Sequence, residues 1–119
     1  MTRSEMLFLS QESQKLHDSY HDDMRTLYRI YARHARLLGA WAAEKLFLFG
    51  DKGNDYAVGM VDTDHSDDAD NRGRAVYEKI KSDCIKNDII FDEAEFLKIY
   101  NDTFIQAHSQ IISQVDMYS

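Results

Sequence analysis

Proline is absent from this chain of 119 residues, and glycine occurs only five times. Because proline breaks helices and punctuates loops, its absence favours long uninterrupted helices joined by short turns. A many-stranded sandwich needs more turn residues than this. Cys84 is the single cysteine, which excludes an internal disulfide and suits a reducing compartment. No apolar run approaches the roughly 20 residues of a membrane span. Met6-Leu7-Phe8-Leu9 is too short for a signal-peptide core. These absences point to a cytosolic protein with no membrane insertion.

Positive charge is scarce as well. The formal net charge of −7 argues against nucleic acid or an anionic membrane as the main partner. What is present is 44% hydrophobic and 12% aromatic residues, enough for one modest core in a chain of single-domain length. The few cations are unevenly placed. Arg25, Arg29, Arg33 and Arg36 share one segment, while Asp51, Asp55, Asp62, Asp64, Asp67, Asp68 and Asp70 crowd the next.

Residues 1–12 are weakly patterned and predict a mobile tail, followed by a single helical domain over residues 13–119; residues 1 to about 23 are expected to add little stability. Leu16, Tyr20, Met24, Leu27, Tyr31, Leu38 and Ala42 form a stripe by steps of mostly three and four. They predict one long helix over about 13–49, capped by Ser13 or Ser10 and stopped at Gly50. A mid-helix glycine costs about 1 kcal/mol relative to alanine, so Gly39 implies close packing of another helix. Trp41, among Leu37, Leu38, Ala42 and Leu46, is expected to be largely buried. A short helix over about 54–61 and an acidic loop come next. A third helix over about 70–86 carries the stripe Val76, Ile80 and Cys84, with Tyr77 and Ile85 at its edge. Asp92 can cap a fourth helix over about 93–115, with Glu95 reaching back as a capping box. That helix would bury Phe96, Ile99, Tyr100, Phe104, Ala107, Ile111 and Val115. The expected fold is all-α: a four-helix bundle with a long N-terminal helix and a mobile N-terminal arm.

His17 and His21, four apart with Asp18, Asp22 and Asp23 beside them, have metal-ligand spacing on a helix. A third ligand is not evident, and a solvated polar face near a helix start is the simpler reading. An alternative function, a small metal- or ligand-binding domain, would use these histidines and the Asp62 to Asp70 loop. That loop fails as an EF-hand, since counting from Asp62 places Asp67 and Gly73 where glycine and glutamate are required. Glycine-rich phosphate loops, nucleophile elbows and paired E-x-x-H motifs are missing. No enzyme, resident metal or cofactor is therefore expected. Arg25, Arg29, Arg33 and Arg36 line one face of the long helix. They pair either with the acidic loop or with an acidic partner, for which arginine is the favoured interface cation.

Residues 33–49 begin Arg33-His34-Ala35-Arg36 and continue Leu37-Leu38-Gly39-Ala40-Trp41-Ala42-Ala43-Glu44-Lys45-Leu46. This block resembles the signature of the ATP synthase zeta inhibitor family: an arginine-rich stretch, then L-L-G-x-W-A-A-E-x-L. Asp55-Tyr56-Ala57 with Val61 and Asp64 is similar to the family's tyrosine-alanine helix and acidic loop. The resemblance covers roughly residues 24–107 and implies Leu37, Leu38, Gly39, Trp41, Ala42, Ala43 and Glu44 as signature positions.

It further implies a regulatory subunit on the catalytic head of F-type ATP synthase, formed by its α, β and γ subunits, hence peripheral to the inner membrane. In inhibitory members an N-terminal segment becomes helical on binding and wedges between a catalytic interface and the rotor, which blocks rotation in the hydrolytic direction. The family's arm has a Lys-Phe pair just before His-Asp. The nearest matches here are Lys15-Leu16-His17-Asp18 and Tyr20-His21-Asp22, so the register stays open between them. Candidate partner-binding residues are Leu16, His17 and Tyr20 on the arm, with Arg25, Arg29, Arg33 and Arg36 beyond it. An assembly role without inhibition is the alternative within the same complex. The stretch from Ala107 to Ser119 extends past the family pattern.

Overall fold

The computed structural model of the chain describes residues 8–19, 23–65 and 72–118, the last four by backbone alone. Among the described residues the protein is all-α, with α1 (Gln11–Asp18), α2 (Met24–Lys45), α3 (Asp51–His65), α4 (Arg74–Lys86) and α5 (Glu93–Tyr118). The expected four helices are thus five, because the predicted helix over 13–49 is divided. Ser10 caps α1 by accepting from the Ser13 N–H at 3.2 Å. Asp23 caps α2, accepting from the Thr26 N–H at 3.2 Å and its hydroxyl at 2.8 Å. These bonds hold the Asp23 carboxyl below its usual range. A side chain that satisfies orphan N–H groups starts a helix wherever it sits; here it interrupts an otherwise continuous apolar period.

The far end of α2 also differs. It stops at Lys45 rather than Phe49, with Phe47 in the left-handed region at φ 59°. Phe47 N–H donates to the Glu44 carbonyl at 3.1 Å and Leu48 N–H to the Ala43 carbonyl at 2.9 Å. That is a Schellman closure. Asp88, also at φ 59°, closes α4 in the same way through Ile89 N–H to the Cys84 carbonyl at 2.8 Å. The second predicted helix grows from 54–61 to Asp51–His65, and the third starts at Arg74 rather than near 70. Asp92 does cap α5, accepting from the N–H groups of Ala94 and Glu95 at 3.0 and 3.2 Å. The Glu95 carboxylate, however, reaches Lys45 of α2 at 2.9 Å.

α2 is the spine, packed mainly against α3 and α5. At Gly39 a Cβ would lie 2.7 Å from the Ala57 Cα, so only glycine lets α3 cross this close. The core has two centres. One joins Leu38, Ala42, Met60, Val76, Ile80, Cys84 and Phe96; the other joins Ile30, Phe104, Ala107 and Ile111. Fully burying an aliphatic or phenyl side chain contributes roughly 1.5–3 kcal/mol, so these two centres dominate the fold. Trp41 is half-buried rather than largely buried; it packs against Phe96 with Lys45 over its ring. Met24, on the predicted stripe, is 63% exposed, and Ile85 is 61% exposed.

The tail predicted over 1–12 makes definite contacts where it is described. Phe8 and Leu9 pack on the first core centre and Ser10 caps α1. Residues 1–7 lie outside the described residues.

Candidate functional site

The candidate residues fall in two places, the α1 arm and the arginine face of α2. On the arm, Leu16 is partly buried against the second core centre, and His17 is buried. The expectation of a solvated His17 therefore fails. Its Nδ1 stands 3.2 Å from an Asp18 carboxylate oxygen and its Nε2 2.5 Å from the Tyr31 hydroxyl. The tautomer with the proton on Nδ1 satisfies both, donating to Asp18 and accepting from the Tyr31 O–H. Its ring stacks on Tyr31 at 5.7 Å between centroids. Tyr20 and His21 lie outside the described residues, so the histidine pair and the alternative arm register do too.

Tyr31 extends this contact into the interior. The Arg72 guanidinium lies 4.0 Å from the Tyr31 ring centroid and donates to Asp64 at 2.8 Å. Asp64, expected in a solvated loop, is 6% exposed at the end of α3. A buried carboxylate requires a partner, and Arg72 supplies it. Beside this pair, His34 donates from Nε2 to the Tyr100 carbonyl at 2.8 Å and sits edge-on to Tyr100 and Phe104. Burial, assisted by the Arg72 charge, lowers its pKa to about 4. His34 is a satisfied neutral core histidine at neutral pH.

The arginines behave differently. Arg25 and Arg29 are exposed, Arg33 is half-buried and Arg36 is exposed. Arg29 donates to the Gln114 amide oxygen at 2.8 Å, Arg33 to that of Gln110 at 2.7 Å, and Arg36 to that of Asn54 at 3.5 Å. Among the described residues none of the four closes an ion pair with a carboxylate. Neutral amides hold three of the guanidiniums in place, and no described carboxylate cancels their charge. Arg33 and Arg36 stand between two grooves. One, of about 480 Å³, has an apolar floor that includes Leu37, Ala40 and Leu48, with Phe49 at its edge. The other, of about 270 Å³, lies against Val61 and Ile111.

The signature positions are mostly structural. Leu38, Ala42 and Ala43 are buried, Leu37 packs on the second core centre, Gly39 admits α3, and Trp41 bridges to Phe96. Glu44 is exposed. Sequence reasoning missed the roles of Phe8, Arg72 and Asn101, whose partners lie far along the chain, and read Ser13 only as a possible cap although it is fully buried. Among the described residues no group of three or more His, Cys, Asp or Glu is placed to hold a metal, and no helix is long and apolar enough to cross a membrane.

A family model described as ATPase inhibitor subunit zeta matches residues 6–110. No match was found among curated proteins or among solved structures. The match spans the arm and most of α5, and the chain belongs to the ATPase inhibitor subunit zeta family.

Proposed function

We propose that this zeta-family chain is a regulatory subunit that binds the catalytic head of F-type ATP synthase and inhibits ATP hydrolysis by obstructing rotation with its N-terminal arm. The observation that carries the reading is the family match over residues 6–110, which takes in the arm and the bundle together. The break between Asp18 and Met24 adds support, since it makes the arm an element separate from the long helix. Leu16, His17 and Tyr20 would face the catalytic interface and the γ subunit. Arg25, Arg29, Arg33 and Arg36 would meet acidic surface on the α or β subunits, where guanidiniums speed encounter and fix orientation. The protein would then sit at the inner membrane only through the complex.

The division of labour follows from the physics of each part. An arm of about 20 helical residues reaches roughly 30 Å, enough to pass from a subunit interface towards a central shaft. The bundle supplies an anchored base against which that arm resists a turning rotor. Copurification tests the partner. The tagged full chain, recovered from its native membranes, should bring down the α, β and γ subunits. Recovery of the chain without them, at low ionic strength where charge contacts are strongest, would overturn the reading.

A further inference from the structure

The arm is fastened to the bundle by contacts that leave its own residues unavailable. The Phe8 ring stacks on Tyr77 at 5.3 Å and meets Phe96 at 5.9 Å and Tyr100 at 5.5 Å. Gly73, at φ 97°, makes one wall of this slot, and a Cβ there would lie 2.7 Å from the Phe8 ring. Asn101 of α5 clamps the backbone on both sides of Leu9. Its Nδ2 donates to the Phe8 carbonyl at 3.0 Å, and its Oδ1 accepts from the Ser10 N–H at 2.7 Å. Beyond the clamp, Ser13 is fully buried and His17 is held by Tyr31. Side-chain amides that read extended backbone in this paired fashion hold a peptide much as a strand neighbour would. Aromatic edges and faces around Phe8 strengthen the hold beyond burial alone.

We infer that residues 8–19 form an autoinhibitory latch: Phe8 in its aromatic slot and the Asn101 clamp store the arm on the bundle, and the arm must leave before it can act. The inference rests on the proposed function, because it is that reading which requires Leu16 and His17 to face another protein. The same atoms cannot contact Tyr31, Phe104 and a catalytic interface at once. Inhibition therefore draws only on the fraction of molecules whose arm is released, and apparent affinity is reduced by that fraction. The consequence runs against ordinary expectation for a lost contact. Weakening the latch strengthens the inhibitor.

Asn101→Ala removes both clamp bonds, while alanine suits the helix interior of α5. Two such bonds are worth enough to release the arm about tenfold more often, so half-inhibition of the cognate ATPase should need about tenfold less N101A than wild type. Phe8→Ala should act in the same direction. Conversely, Ser10→Cys with Asn101→Cys places a thiol at each side of the clamp, where the Ser10 backbone N–H meets the Asn101 Oδ1 at 2.7 Å, and formation of the bridge is checked by mass spectrometry before the assay. Oxidised, this variant should lose inhibition, and reductant should restore it. The buried Cys84 stays apart from the new pair. Equal potency of N101A and wild type, or full inhibition by the oxidised double variant, would overturn the latch. If wild type itself does not inhibit, the functional reading has failed and amide exchange decides the latch alone. The amides of Ser13 to Ser19 should then exchange about tenfold faster in N101A while those of Ile30 and Leu38 are unchanged. Identical exchange at Ser13 to Ser19 would refute it.

Discussion

His34 gives the fold a measurable sensitivity to acid. The side chain is 5% exposed, its Nε2–H is committed to the Tyr100 carbonyl, and its pKa is lowered to about 4. In the unfolded chain an ordinary histidine titrates near about 6.5. The folded state therefore binds fewer protons than the unfolded state between these values, so its stability rises with pH there. The contribution is fully present above about pH 6.5 and is lost as the pH falls towards about 4. With those two pKa values, linkage predicts a loss of about 2 kcal/mol between pH 7 and pH 5, and about 3 kcal/mol by pH 4. His34→Gln keeps an N–H donor for Tyr100 and removes the titration. Urea unfolding followed by far-UV circular dichroism across this range should show wild type falling relative to H34Q by those amounts. Parallel curves for the two proteins would refute the reasoning, whatever their absolute stabilities. Carboxylates and the other histidines contribute equally to both and cancel in the difference.

Three further outcomes follow from single contacts. Gly39→Ala gains about 1 kcal/mol of helix propensity, but its Cβ would press on the Ala57 backbone at 2.7 Å; overpacking of this kind costs roughly 1–3 kcal/mol, so thermal unfolding should show a net loss, and an unchanged or raised Tm would contradict the close crossing. Phe47→Gly should stabilise the protein by about 1 kcal/mol, because a left-handed residue at a helix end suits glycine and Phe47 is 75% exposed; a destabilised variant in the same assay would show that Phe47 makes contacts the free chain needs. Stoichiometric zinc or a chelator should leave Tm unchanged, since the His17 Nε2 is engaged by Tyr31, whereas a rise of many degrees with zinc would support the metal-binding alternative.

The sequence was most legible where one period and one residue type decide the outcome. Val76, Ile80 and Cys84 are fully buried, and Phe96, Tyr100, Phe104, Ala107 and Ile111 face the core from α5, as their spacing requires. Gly39 announced a close crossing, and Asp92 announced a helix start. Less legible were features that depend on a partner distant in sequence. The His17 pairing with Tyr31 spans 14 positions and the Asn101 clamp on Phe8 spans 93. A polar residue looks solvated until such a partner is known. The division between α1 and α2 was hidden for another reason. Apolar residues continue the period through the gap, while the deciding signal is one capping aspartate among Asp18, Asp22 and Asp23. The end of α2 misled because Gly50 is the better stop by composition, yet Phe47 takes the left-handed position three residues earlier. At the candidate site, the four arginines share α2, with Arg25, Arg29 and Arg36 exposed and Arg33 half-buried. Pairing with the acidic loop was one of two alternatives, and Asp67, Asp68 and Asp70 of that loop lie outside the described residues; among the described residues, glutamine amides hold Arg29 and Arg33.

The central claim is that the arm carries inhibition while the bundle carries docking. Steady-state ATP hydrolysis by the purified cognate complex, titrated with the full chain and with a chain beginning at Asp23, tests it most directly. The shortened chain loses the packing of Phe8, Ser13 and His17 and should be somewhat less stable, so its helicity is checked by circular dichroism at the assay temperature. The account predicts that the full chain slows hydrolysis to a low plateau, while the folded shortened chain binds through its arginine face and leaves the rate unchanged. Equal inhibition by both would place the activity in the bundle and contradict the account.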